Sequence, residues 1–125
     1  MFEDIDPRSP VPLYEQIAAR VRVAVASGEY TPGAALPSVR QLAASLRVNP
    51  ATVVQAYRDL EREGFVEMRH GAGTFVQNVT PDLRESERMK QARDLVRRMM
   101  TEAARLGIGV AELSRAFAAE NGTGT

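Results

Sequence analysis

The sequence predicts a mainly α-helical protein with one small β-hairpin and a further helical segment behind it. Three observations predict this. Two stretches with helix-start signals lie back to back across a turn of very few residues, a glycine-punctuated hairpin follows them, and the residues after Val79 carry apolar side chains at heptad spacing.

Each element has its own local signal. Pro7, Pro10 and Pro12 mark an extended lead-in, after which Leu13, Ile17, Val21 and Val25 recur at the period of an amphipathic helix ending near Gly28. The stretch Glu29 to Pro37 holds Pro32, Gly33 and Pro37 and is expected to be only a connector. A second helix starts at Ser38, whose hydroxyl can accept from the Gln41 amide while the Gln41 side chain returns to Ser38. Val39, Leu42, Ala43 and Leu46 give it an apolar face.

After Arg47 and Val48 a third helix opens with Asn49 as cap, Pro50 at the first helical position and Val48 placed to staple onto Val53. Val53, Ala56, Tyr57 and Leu60 share its inner face. Ala51, Gln55, Arg58 and Arg62 share the opposite one, and Gly64 ends the helix. Phe65 to Arg69 and Thr74 to Asn78 are expected to be strands joined by His70, Gly71, Ala72 and Gly73. Two helices across a tight turn with a hairpin behind them make a winged helix-turn-helix.

Thr80 and Pro81 then open a long helix expected to run to about Leu106, with Gly107 as its stop. Met89, Ala92, Val96, Met99, Ala103 and Leu106 form its heptad seam, a narrow stripe suited to a second copy. Ile108, Val110, Leu113, Ala116 and Phe117 are expected to form a short helix folding back on that seam. The expected organisation is a winged domain over 11–79, a two-helix dimerisation segment over 80–120, and flexible termini at 1–10 and 121–125.

Composition narrows the chemistry. The 125 residues include 16 Lys and Arg against 16 Asp and Glu, so the formal charge is zero and the totals announce neither nucleic acid nor an anionic membrane. By position the picture changes: no acid lies between Glu29 and Asp59, while Arg40, Arg47 and Arg58 do. No cysteine is present, which removes disulfides, thiol nucleophiles and thiolate metal sites. No apolar stretch is long enough for a bilayer, and Met1 to Pro10 lacks a signal peptide's pattern, so a cytoplasmic protein is expected with no membrane partner.

An enzyme is not expected. The single histidine, His70, sits at a hairpin tip away from any pocket-forming turn. Glu61, Glu63 and Glu67 look like a solvated helix end rather than a metal site, and Gly71 to Gly73 leads into a strand where a phosphate cradle leads into a helix. No cofactor or metal is implied.

The exposed residues suit DNA instead. A recognition helix enters the major groove by its N-terminal end, and Asn49, Ala51, Thr52 and Gln55 are small or hydrogen-bonding side chains there. Arg40 can reach a guanine or a phosphate. Ser38 and Asn49 are caps that also place backbone amides near phosphates, and Arg58 and Arg62 fit a phosphate contact and a plain solvated face equally. His70 and Gly71 suit the minor groove or a phosphate, or simply an exposed turn.

The strings Pro12-Leu-Tyr-Glu-Gln-Ile17, Pro32-Gly33, Leu36-Pro-Ser-Val-Arg-Gln-Leu-Ala43, Thr52-Val53, Tyr57, Leu60, Gly64 and Gly71-Ala-Gly-Thr-Phe-Val76 resemble the winged helix-turn-helix of the GntR family of transcription regulators over residues 11–77. The resemblance implies a repressor that binds a palindromic operator as a homodimer, with contacts at Ser38, Arg40, the start of the third helix and His70-Gly71. Family arginines early in the recognition helix are replaced here by Pro50 and Val54, which shifts the expected base readout to Arg40, Asn49, Thr52 and apolar contacts. Asn49-Pro-Ala-Thr-Val53 and the brief tail resemble the YtrA-type branch, whose C-terminal part is a small dimerisation piece. The two tail helices cannot enclose a pocket of the usual ligand size, and a small-molecule effector between them or between dimer halves stays open, with no residue set identifying one. The rival reading is a winged-helix module that binds a protein partner, taking the zero charge at face value.

Overall fold

The computed structural model describes residues 1–122. The elements are α1 (Leu13–Ala26), α2 (Val39–Leu46), α3 (Pro50–Glu63), β1 (Val66–Arg69), β2 (Gly73–Val76), α4 (Pro81–Arg105) and α5 (Val110–Gly122). They divide into two compact units, Met1–Arg88 and the residues from Met89 onward.

In the first unit α1, α3 and the hairpin close on one core. Ile17, Val21 and Val25 of α1 meet Val53, Ala56, Tyr57 and Leu60 of α3, with Leu42, Phe65, Val66 and Val76 completing it. These are the positions the helical and strand periods place inward, and burying such side chains supplies the main driving force for folding. Tyr57 carries a polar atom into that core. Its hydroxyl donates to the Pro37 carbonyl at 2.7 Å, which ties the middle of α3 to the residue just ahead of the α2 cap.

The hairpin is antiparallel, with Val66 opposite Val76, Glu67 opposite Phe75, Met68 opposite Thr74 and Arg69 opposite Gly73. The connector does more than connect. After the Pro32-Gly33 turn, Gly33 donates to Val76 and Leu36 to Thr74, while Val76 donates to Ala34, so residues 33–36 pair along the free side of β2. Proline bounds this run at either side and leaves its inner amides available, which is why a breaker-rich segment can still pair.

On the outer side of β1, the Met68 amide donates to the Glu61 carboxylate and the Val66 carbonyl accepts from the Gln77 side chain. Glu61, expected to be solvated, therefore links the end of α3 to the sheet. Glu63 is likewise engaged, in a two-point ion pair with Arg22 of α1 at 2.9 and 2.7 Å. Burial opposes the Arg22 charge, but the hydrogen bonds and field of Glu63, with Glu87 and Asp59 nearby, outweigh it and hold the group above its ordinary pKa.

The first ten residues, read as a flexible lead-in, make specific contacts. Phe2 and Ile5 pack on the core, Arg20 donates to the Met1 carbonyl, and the Gln16 side chain bonds both backbone groups of Asp6. The division between units also falls inside α4, after Arg88, rather than ahead of it at Val79. Leu83 packs on the core and its methyl approaches Gly64, and Glu87 is buried, so the first turns of α4 belong with the winged unit.

In the second unit Gly107, at φ +75, reverses the chain between α4 and α5 as its spacing predicts. The expected folding of α5 back on the seam is seen as an open cleft: Val110, Leu113 and Phe117 of α5 line it together with Val96, Met99 and Met100 of α4. No residue of α5 is buried, and Val110 and Phe117 stay 62% and 64% exposed. Val110, Leu113 and Phe117 share one face of α5 at spacings of three and four, and that face meets α4 without being closed over. Of the seam, Ala103 is buried, while Met89, Ala92, Val96, Met99 and Leu106 are open. Asn121 and Gly122, expected in the tail, are helical, and the rest of that tail lies outside the described residues.

Burial pushes the Tyr57 phenol above its ordinary pKa. A group raised in the folded state contributes stability below its unfolded pKa of about 10 and loses it as pH climbs beyond that value. Tyr57→Phe is expected to cost about 1–2 kcal/mol at neutral pH by leaving the Pro37 carbonyl without its donor. Above about pH 10 the variant should lose stability less steeply than the parent. Urea midpoints across that range check both expectations.

Candidate nucleic-acid interface

The starts of α2 and α3 and the tip of the hairpin present most of the expected contact residues to solvent. At α2 the reciprocal cap is complete. The Gln41 amide donates to Ser38 Oγ at 3.0 Å, and the Ser38 amide donates to Gln41 Oε1 at 3.1 Å. The cap still leaves the Ser38 hydroxyl proton and the first helical amides, those of Val39 and Arg40, pointing out of the helix end. Arg40 extends from this turn, exposed and without an ion pair among the described residues.

At α3 the Asn49 side chain accepts from the Ala51 amide at 2.9 Å. One lone pair of its carbonyl oxygen is thereby held by the cap, so its donor and acceptor are less free for the paired contact that adenine recognition uses. Gln55, exposed on the next turn, keeps both. Ala51 is exposed and small enough to allow close approach, whereas Thr52 is half-buried. Arg58 is exposed and unpaired, while Arg62 closes on Asp59, which fits a solvated face for Arg62.

The turn His70 to Gly73 is fully exposed and held by the Ala72 amide on the Arg69 carbonyl at 3.0 Å. Gly71, at φ +76, takes a conformation that would strain any side chain. Ser38 and Val39 of α2 line one open cleft together with Met68 to Thr74 of the hairpin. Two expected parts of the site are thus neighbours in space.

Sequence reasoning missed one residue of this cleft. Arg69 lies 4.7 Å from the centroid of the Phe75 ring and pairs with Glu67 at 3.3 Å. Alternation along β1 was the available signal, because it puts Glu67 and Arg69 on one face, with Phe75 opposite Glu67. Among the described residues no three His, Asp or Glu side chains gather as a metal site, and no helix is long and apolar enough to cross a membrane.

Comparison with known proteins agrees with this geometry. The model of bacterial regulatory proteins of the gntR family matches residues 13–76. The transcriptional repressor YtrA of Bacillus subtilis (strain 168) is 36% identical over 109 residues, which make up 87% of this chain and 84% of that protein. A GntR family transcriptional regulator from Listeria monocytogenes superposes with a TM-score of 0.69 at 28% identity, covering 90% of this chain and 96% of that one. YtrA from Sulfolobus acidocaldarius, a GntR-family transcription factor, superposes with a TM-score of 0.59 at 36% identity, covering 77% and 99%.

The caps also hold the surface in shape. Ser38→Ala removes the side-chain half of the reciprocal cap and is expected to lower stability by about 1 kcal/mol, read as a lower urea midpoint.

Proposed function

Because this chain belongs to the gntR family of bacterial regulatory proteins, and to its YtrA-type branch, we propose that it is a sequence-specific DNA-binding repressor acting as a homodimer on a palindromic operator in the cytoplasm. The observation that carries this reading is the stretch between Glu29 and Asp59, which holds no acid and supplies the starts of α2 and α3. Arg40 stands exposed at the capped start of α2 and Arg58 on the outer face of α3 further along the helix, neither with an ion pair among the described residues.

In this reading the start of α3 enters the major groove, where Ala51 allows close approach and Gln55 meets a base edge. Thr52 and the NH2 group of Asn49 serve the groove wall. Ser38, the first amides of α2, Arg40 and Arg58 hold phosphates, and His70 and Gly71 at the wing tip lie along the minor groove or its phosphates.

Two copies are supported by the seam on α4. Met89, Val96, Met99 and Leu106 are each more than 40% exposed. An apolar stripe of this kind at heptad spacing is suited to a matching stripe on a second copy. A two-fold pair then meets two half-sites, which is what a palindromic operator provides. Repression follows from occupying promoter DNA.

Arg40→Ala is expected to weaken binding to duplex DNA selected from a random pool by about tenfold, while the thermal melt stays unchanged. A gel shift beside a circular-dichroism melt checks both, and equal losses in the two would make Arg40 a structural residue. Met99→Glu places a charge in the seam and is expected to yield monomers in sedimentation and to weaken binding to paired half-sites. A dimer that persists would remove the seam from the proposal.

A further inference from the structure

One residue of the acid-free stretch has no role in the surface described so far. Arg47 closes α2 at φ 57 and ψ 47, and it is the only residue other than glycine with a positive φ among the described residues. The turn requires this conformation. The Arg47 amide turns back to the carbonyls of Ala43 and Ala44, the Val48 amide bonds the Ala43 carbonyl, and Asn49 follows at once as the cap of α3. Glycine adopts it without strain and asparagine tolerates it, whereas an arginine incurs a steric cost.

Among the described residues no side-chain partner offsets that cost. Arg47 is exposed, its side chain has no hydrogen bond or ion pair among the described residues, and no acid lies between Glu29 and Asp59. In the same unit Arg20, Arg22, Arg62 and Arg69 all have carboxylate partners. A strained position filled by an unpaired cation, two residues from the recognition-helix cap, directs attention to a partner outside the chain.

We propose that Arg47 is a further phosphate-binding residue, which takes a backbone phosphate beside the groove that receives the start of α3. The inference rests on the DNA-binding reading above. The ligand is a phosphate rather than a base, because the side chain springs from a turn and no neighbour orients its guanidinium. Base readout needs such orientation, whereas a phosphate accepts a guanidinium from many directions.

The test uses the full chain with Arg47→Gly, Arg47→Asn and Arg47→Lys, measuring the melting temperature and the affinity for selected and random duplexes across a salt series. Arg47→Gly is expected to melt a few degrees higher, because strain is relieved, and yet to bind both duplexes roughly tenfold more weakly. The slope of log affinity against log salt should flatten by about 0.9 for each copy bound. Arg47→Asn should match that loss, and Arg47→Lys should keep most of the affinity.

Unchanged affinity and slope in Arg47→Gly, with normal binding by the parent, would overturn the Arg47 assignment alone. A loss confined to the selected duplex would make Arg47 a base reader, and a fall in melting temperature matching the loss of affinity would make it structural. Either result overturns the proposal. Absence of duplex binding by the parent would overturn the DNA-binding reading, and this inference with it.

Discussion

The hydrogen bond from the buried Tyr57 hydroxyl to the Pro37 carbonyl is the constraint on which the rest of the winged unit depends. Apolar packing between α1 and α3 is non-directional and tolerates small slides. A buried hydroxyl with one acceptor does not, because losing that partner leaves two polar groups without water. The bond ties the residue from which α2 starts to the middle of α3 and so, with Leu42 and Ala43 packed in the same core, places the Ser38 cap, Arg40 and the turn into α3. Residues 33–36 then run alongside β2 and carry the same placement to the hairpin.

The zero formal charge acquires a meaning in this arrangement. The acids around the end of α3 and in β1 are engaged one by one: Asp59 with Arg62, Glu61 with the Met68 amide, Glu63 with Arg22 and Glu67 with Arg69. They stabilise joints between elements and are absent from the stretch that starts α2 and α3. A neutral molecule exerts little long-range pull on DNA, which places the weight on short-range contacts.

The parts of this fold that were legible in the sequence are those set by local chemistry. Ser38 with Gln41, Asn49 with Pro50, and Gly64 and Gly107 each act within a few residues, so spacing alone reveals them. The pairing of 33–36 with β2 was not legible, because it joins segments about forty residues apart and prolines disguise it. Nor was the openness of the cleft between α5 and the seam, since spacing gives the face that Val110, Leu113 and Phe117 share and not how deeply it is covered. Most of the candidate surface could be read from residue type and position. That the Asn49 carbonyl oxygen is engaged in the cap, and that Arg47 is left-handed, are facts of backbone geometry that residue type does not encode.

The outer side of β1 has a further effect on how the molecule behaves among its own copies. Phe65 and Gln77 are bonded to each other, so the Val66 carbonyl and Met68 amide point away from β2, where a bare strand would offer them to any extended chain. Gln77 and Glu61 occupy both groups from within the fold. Part of the outer edge of the hairpin is thereby covered, which leaves fewer open backbone groups for another copy's strand to pair with.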